Sequence, residues 1–267
     1  MSIDLAGRRA LITGATGGLG RAIARALHGR GAVVIATGRR EDALDEVAAE
    51  LGERMETVPA DLSQAEEVGR LIEIAGRLDV LVANAALPAS GMLDTYEADE
   101  VGRALDVNLF APIELARRLA PAMVERGEGH VVLVSSLSGK VPNGGGSIYS
   151  ATKFGLRGFG LALRDELHGT GVGVTVVYPG FIADEGMWAE TGIDLPPGVG
   201  VRKPYDVGRA VVRAVERNRA EIDVAPLALK ALGRIAGIMP TPVQAAGRLM
   251  RSDEVARRLG EAQREKR

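Results

Sequence analysis

The sequence predicts a doubly wound α/β fold with a parallel sheet of about seven strands and helices on both faces. Three observations carry that expectation: short apolar runs alternate with helical patterns, a glycine-rich turn joins the first run to the first helix, and no repeat or linker divides the 267 residues. The apolar fraction (46%) and charged fraction (25%) suit one large domain with a full core.

The first run, Ala10-Leu11-Ile12, passes through Thr13-Gly14-Ala15-Thr16-Gly17-Gly18-Leu19-Gly20 into a helical pattern over 21–30. Strand, glycine turn and helix form the context in which backbone approaches a pyrophosphate and a helix N-terminus favours an anion. The glycines fit TGxxxGxG through Gly14, Gly18 and Gly20, and TGxxGxxG through Gly14, Gly17 and Gly20. The second run, 32–37, ends in Gly38-Arg39-Arg40. A carboxylate at that edge would bind a ribose 2′-hydroxyl, whereas arginine suits a 2′-phosphate. Arg39 therefore favours NADP(H), with NAD(H) the alternative, and Arg40 points to the opposite side of an extended segment.

A helix over 41–51 and a strand over 55–59 precede Ala60-Asp61-Leu62-Ser63, where Asp61 reads equally as a helix cap. After a helix over 65–75, a strand over 78–82 ends in Ala83-Asn84-Ala85-Ala86. One long helix is expected over 99–126, with Asn108 unfavourable inside it and Pro112 kinking it. Val131 to Val134 reads as a buried strand delivering Ser135 and Ser136 to its carboxyl end. A Gly/Pro-rich loop follows, then a helix beginning near Tyr149, which places Lys153 four residues on and on the same face. A hydroxyl, a phenol and an ammonium around one small volume suit carbonyl reduction: one group binds the oxygen, one protonates it, and one keeps the phenol proton labile.

The strand over 172–178 ends in Pro179-Gly180-Phe181-Ile182. The loop over 184–203 is too long for a simple connection and reads as a substrate lid covered by Met187 and Trp188, or as core packing. A helix over 206–217 and a strand over 222–225 complete the sheet in the order 3-2-1-4-5-6-7. Residues 227–239 are amphipathic, with Ala228, Leu232, Ile235 and Met239 opposite Lys230 and Arg234. This C-terminal extension, 227–267, could cover the substrate entrance, form a subunit contact, or lie on a membrane surface through 227–250.

The 33 basic and 35 acidic residues are interspersed, which argues against a nucleic-acid surface. The absence of cysteine excludes disulfides and thiolate ligands, and His28, His130 and His168 are too scattered for a metal, so none is expected. No apolar signal region opens the chain and no long uncharged run occurs, so a soluble cytoplasmic protein is expected.

Ser136, thirteen residues before Tyr149-x-x-x-Lys153, together with the glycine turn, Asn84-Ala85 and Pro179-Gly180, resembles the short-chain dehydrogenase/reductase family over about residues 5–226. The resemblance implies a Rossmann-type domain catalysing reversible hydride transfer between a nicotinamide and a carbonyl or secondary alcohol. It implies a catalytic set of Ser136, Tyr149, Lys153 and Asn108, the last holding a water beside the lysine. It also implies cofactor contacts at Gly14, Thr16, Gly18, Leu19, Gly20, Arg39, Asp61, Leu62, Asn84, Ala85, Tyr149, Lys153, Pro179, Gly180 and Ile182. The phenol pKa is expected to be lowered by Lys153 and by oxidised nicotinamide. Ala86 stands where the family has glycine, and Asp184 where it commonly has threonine. The extended epimerase relatives share the second glycine spacing but carry a longer C-terminal domain. A homodimer or homotetramer is implied, with Gly155, Gly158 and Gly160 admitting a partner helix. Apolar residues of the lid and extension lean toward a lipophilic substrate, and the alternative reading is a non-catalytic NADP(H) sensor.

Overall fold

The computed structural model describes residues 3–184, 200–239, 241, 245 and 258–264. Seven parallel strands form one sheet among the described residues: β1 (Arg9–Thr13), β2 (Val33–Gly38), β3 (Met55–Pro59), β4 (Val80–Ala83), β5 (Gly129–Val134), β6 (Val172–Pro179) and β7 (Glu221–Val224). Their order is β3-β2-β1-β4-β5-β6-β7, as the alternating pattern predicts. The order reverses between β1 and β4, so the chain leaves the carboxyl ends of these two strands in opposite directions and opens a crevice there.

The intervening helices are α1 (Gly18–His28), α2 (Glu41–Leu51), α3 (Ala65–Ala75), α4 (Ala98–Leu105), α5 (Ala111–Glu125), α6 (Ser147–Glu166), α7 (Pro204–Arg217) and α8 (Leu227–Ile238). Each strand alternates its side chains between the sheet's two faces, and both faces are dry. On one, Ile12, Val34 and Val132 pack beneath Ile23 and Leu27 of α1 and Val207, Val211 and Val215 of α7. On the other, Leu11, Val131 and Leu133 meet Leu71 of α3 and Leu115, Leu119 and Met123 of α5. Burial on both faces explains why the strands read as continuous Val/Ile/Leu runs. Each such side chain stabilises the fold by roughly 1.5–3 kcal/mol, and truncating fully buried Ile23 or Leu27 to alanine would cost about 2–5 kcal/mol.

One expectation needs correction: the single helix over 99–126 is instead α4, a π turn at Asp106–Phe110, and α5. The apolar stripe of α8 faces outward, with Leu232, Ile235 and Met239 37%, 50% and 54% exposed. The helix packs through its small residues, Gly233 lying against Leu137 and Lys140, and Ala236 being buried. Among the described residues, no helix is long and apolar enough to cross a membrane.

Candidate active site

Strand β5 ends at Val134, so the next two serines emerge at the carboxyl edge. Ser135 donates its hydroxyl to the main-chain carbonyl of Lys153 at 2.8 Å, tying the strand end to α6. Ser136 is extended, and its Oγ accepts the Ser138 amide at 3.1 Å as a short 3-10 turn, Leu137–Gly139, begins. These bonds fix the Ser136 hydroxyl toward α6, where it pulls the Tyr149 phenol pKa down. Lys153 is 2% exposed; its Nζ donates to the carbonyl of Val134 at 3.1 Å and lies 5.5 Å from the centroid of the Tyr149 ring. The structure thus brings Ser136, Tyr149 and Lys153 together.

Within the protein alone, burial pushes the Tyr149 phenol up to about 12, with the Ser136 hydroxyl pulling the other way. Burial also lowers the Lys153 ammonium to about 8. Desolvation of the phenolate outweighs the pull of Ser136, and Lys153 is aimed at the Val134 carbonyl.

Asn108 is fully buried inside the π turn, and its side chain is committed to one residue. Its Oδ1 accepts the Leu87 amide at 2.6 Å, and its Nδ2 donates to the Leu87 carbonyl at 2.9 Å. The amide is thus occupied in joining the β4–α4 loop to the π turn. Pro112 has no N–H to return to residue 108, which releases the Asn108 main-chain carbonyl from its ordinary helical partner.

The dinucleotide side is built at the carboxyl ends of β1, β2 and β4. Gly14 adopts φ +64°, where a Cβ would come within 2.8 Å of the Ala85 Cα, and a Cβ at Gly20 would overlap the carbonyl oxygen of Gly14. The turn carrying Thr16, Gly18 and Leu19 is thereby folded onto the start of α1. Thr13, missed by the sequence reading although it opens the glycine motif, accepts the amides of Asn84 and Ala85, each at 2.9 Å. Asn84 returns its Nδ2 to the Thr13 carbonyl at 2.9 Å, so its side chain is a structural tie between β1 and β4.

At β2, Arg39 and Arg40 are both exposed. A Cβ at Gly38 would lie 3.2 Å from both Cγ2 and Oγ1 of Thr16, so Thr16 crowds the position where an acidic side chain would begin. Asp61 accepts the amide and hydroxyl of Ser63 at 3.0 and 2.8 Å in a local turn; it is not the helix cap the sequence offered, since Gln64 holds that position before α3, and Leu62 is buried in the core. Beyond β6, the Gly180 amide donates to the Val224 carbonyl at 3.0 Å and Ile182 is buried, so Pro179-Gly180 sits beside β7. Asp184 adopts φ +68°. Met187 and Trp188 lie outside the described residues.

The glycines of α6 serve the monomer more than a partner. Leu109 covers Gly155, and Val176 and Leu133 cover Gly160; only Gly158 faces open space. Among the described residues, no cluster of acidic or histidine side chains could hold a metal. His130 is buried against Thr175, 2.9 Å from its hydroxyl, in a structural role.

The sequence profile of the family described as short chain dehydrogenase matches residues 8–194. The chain belongs to that family. This short-chain dehydrogenase is 36% identical to the ketoacyl reductase HetN of a Nostoc species, over 82% of its own length and 79% of the relative's. It is similar to a serine dehydrogenase solved in a closed form with NADP+, with a TM-score of 0.74, 30% identity, and coverage of 82% of this chain and 95% of that one. It also matches a short-chain dehydrogenase from Sphingobium yanoikuyae in complex with NADPH, with a TM-score of 0.75, 29% identity, and coverage of 87% and 95%. As a member of this family, the chain is an oxidoreductase that binds a nicotinamide cofactor.

Proposed function

We propose that this short-chain dehydrogenase carries out reversible, NADP(H)-dependent reduction of a lipophilic ketone, with a ketoacyl chain the leading substrate class. The observation that carries the reading is the convergence of the Ser136 hydroxyl, the Tyr149 phenol and the Lys153 ammonium at the carboxyl edge of β5, beside the glycine turn. The cradle formed by Gly14 and Gly20 at the N-terminus of α1 fits a pyrophosphate, and exposed Arg39 beside the crowded Gly38 fits a 2′-phosphate better than a free ribose hydroxyl. NADP(H), when bound, supplies or accepts the hydride.

In reduction, Ser136 holds the substrate oxygen and Tyr149 gives its proton to that oxygen as the carbonyl carbon gains the hydride. Carbonyl, hydride and proton then balance as a secondary alcohol, and the phenolate left behind is stabilised by Ser136 and Lys153. Lys153, poised near neutrality by burial, returns a proton from solvent, and Asn108 supports the relay through its released carbonyl. Oxidation runs through the same groups in reverse. The kinship with a ketoacyl reductase supports the acyl class. Exposed Phe110 and Phe154, with open Gly158 on α6, support self-association into a homodimer or homotetramer.

The test is parallel titration with NADPH and NADH by reduced-nicotinamide fluorescence, followed by NADPH oxidation with acetoacetyl-CoA and a panel of apolar ketones. NADPH-selective binding and turnover that Tyr149→Phe abolishes are expected. Tight NADPH binding without turnover of any panel member would favour a non-catalytic NADP(H) sensor. Equal binding of NADH would overturn the role of Arg39 alone.

A further inference from the structure

A charged cluster joins the turn after Ser136 to β6 and β7. Lys140 is 7% exposed and follows Ser136 by one turn. Its Nζ lies 2.6 Å from Oδ1 of Asp223, 3.6 Å from Oε1 of Glu221, and 3.8 Å above the centroid of the Tyr178 ring. The Tyr178 hydroxyl donates to Glu221 at 2.6 Å, and Arg157 lies 3.4 Å from the same carboxylate. A Cβ at Gly233 of α8 would lie 3.7 Å from Cδ of Lys140, so α8 passes close to the Lys140 stem.

Lysine is almost never buried without a partner, and a buried ion pair is seldom more stable than an apolar pair of the same volume. Stability therefore does not explain why these charges are here. Their positions in the chain offer a reason. Lys140 is four residues beyond Ser136, and its amide and that of Val141 both bond the Leu137 carbonyl at 2.8 Å, so the turn moves as a unit. Arg157 is one helical turn beyond Lys153. Tyr178 immediately precedes Pro179-Gly180, and Asp223 is its register partner on β7. Gly139 offers no slack, because a Cβ there would come within 2.6 Å of the Lys153 carbonyl and the Ser135 hydroxyl.

We infer that Lys140 is a positioning residue that clamps the Ser136 turn to β6 and β7, setting the distance between Ser136, Tyr149 and the Pro179-Gly180 edge. The inference rests on the proposed carbonyl chemistry for its rate consequence and on geometry alone for its local one. Directional charge contacts from one ammonium to two carboxylates and a ring fix a single orientation, which apolar packing would leave to slide. Misplacement of a reacting group by about 1 Å is enough to lower a rate by about 100-fold.

The test compares Lys140→Met with the double variant Lys140→Met/Asp223→Leu, which removes both charges. Thermal melting, NADPH binding by fluorescence, hydrogen exchange of residues 135–141, and NADPH oxidation with acetoacetyl-CoA or the best ketone of the panel are measured on each. Lys140→Met should melt lower, because Asp223 is left unpaired. The double variant should recover most of that loss. Both should bind NADPH within about 2-fold of the parent, exchange faster at 135–141 with the rest of the sheet protected, and lose about 10- to 100-fold in kcat. A double variant with parental kcat and parental exchange would overturn the clamp and leave Lys140 as a buried charge only. So would a double variant that fails to fold, since the clamp makes the charges replaceable for stability. If the parent turns over no ketone, the proposed reaction fails, while unchanged exchange at 135–141 would independently sink the clamp.

Discussion

Asn108 and Leu87 hold each other by a reciprocal pair of hydrogen bonds, amide to side chain and side chain to carbonyl, across 21 residues of sequence. The pair reads the orientation of the asparagine amide, since one end must accept and the other donate. Asn108→Asp keeps the acceptor and turns the donor into an anion facing the Leu87 carbonyl. It should destabilise the fold more than Asn108→Ala at pH 8, where the charge is unpaired, and recover part of the loss near pH 4 as the carboxyl protonates. Thermal melts of both variants at the two pH values check this; equal melting at both would show that the pair does not depend on a donor.

Tyr149→Phe removes only the hydroxyl and should lower turnover by about 10²- to 10⁴-fold with NADPH affinity little changed. Ser136→Ala removes the hydroxyl that lowers the phenol, so Tyr149 should titrate higher than in the parent. Spectrophotometric titration of phenolate in Ser136→Ala against the parent and Tyr149→Phe assigns that shift.

The 2′-phosphate reading makes two separate demands. Arg39→Ala should weaken NADPH by about 10- to 100-fold, the worth of a charge-assisted contact, and leave NADH nearly unchanged. Gly38→Asp should fail to create good NADH binding by itself, because Thr16 crowds the new side chain, and should succeed better with Thr16→Gly. Fluorescence titration of the four variants with each nucleotide decides both.

His130 makes stability depend on mild acid. Burial first, and then the charge of Arg164, hold its imidazole near 3 in the folded state, well below the ordinary 6.5. The unfolded chain therefore binds the extra proton between those values, so stability is full above about pH 6.5 and is lost as pH falls toward 3. The slope is about 1.4 kcal/mol per pH unit, or about 2 kcal/mol between pH 7.5 and pH 5. Urea unfolding of the parent and His130→Gln at those two values should show this loss in the parent only.

The elements whose boundaries the sequence reveals best are those set by local signals. Helix α2, strand β3 and helix α3 fall where apolar spacing and punctuation place them, and the sheet order follows from alternation. The Ser136, Tyr149 and Lys153 grouping was legible because two members share a helix face and the third ends a strand. What stayed hidden depends on distant partners. The π turn at Asn108 needs Leu87, and the Lys140 cluster joins residues up to 83 positions apart. The outward stripe of α8 was unreadable for a different reason: amphipathicity marks a face without saying which side the rest of the molecule occupies, and here Gly233 and Ala236 make the closer approach.

The strand order also governs how the molecule is born. Strand β1 lies between β2 and β4, so the first three strands to leave the ribosome can pair among themselves yet leave one side of β1 bare until residues 80–83 arrive. That bare edge is flanked by Leu11 and Ile12, both fully buried in the finished sheet. A nascent chain shorter than β4 is therefore a strand-seeking, sticky intermediate, and pauses in translation before that point should favour aggregation over productive closure.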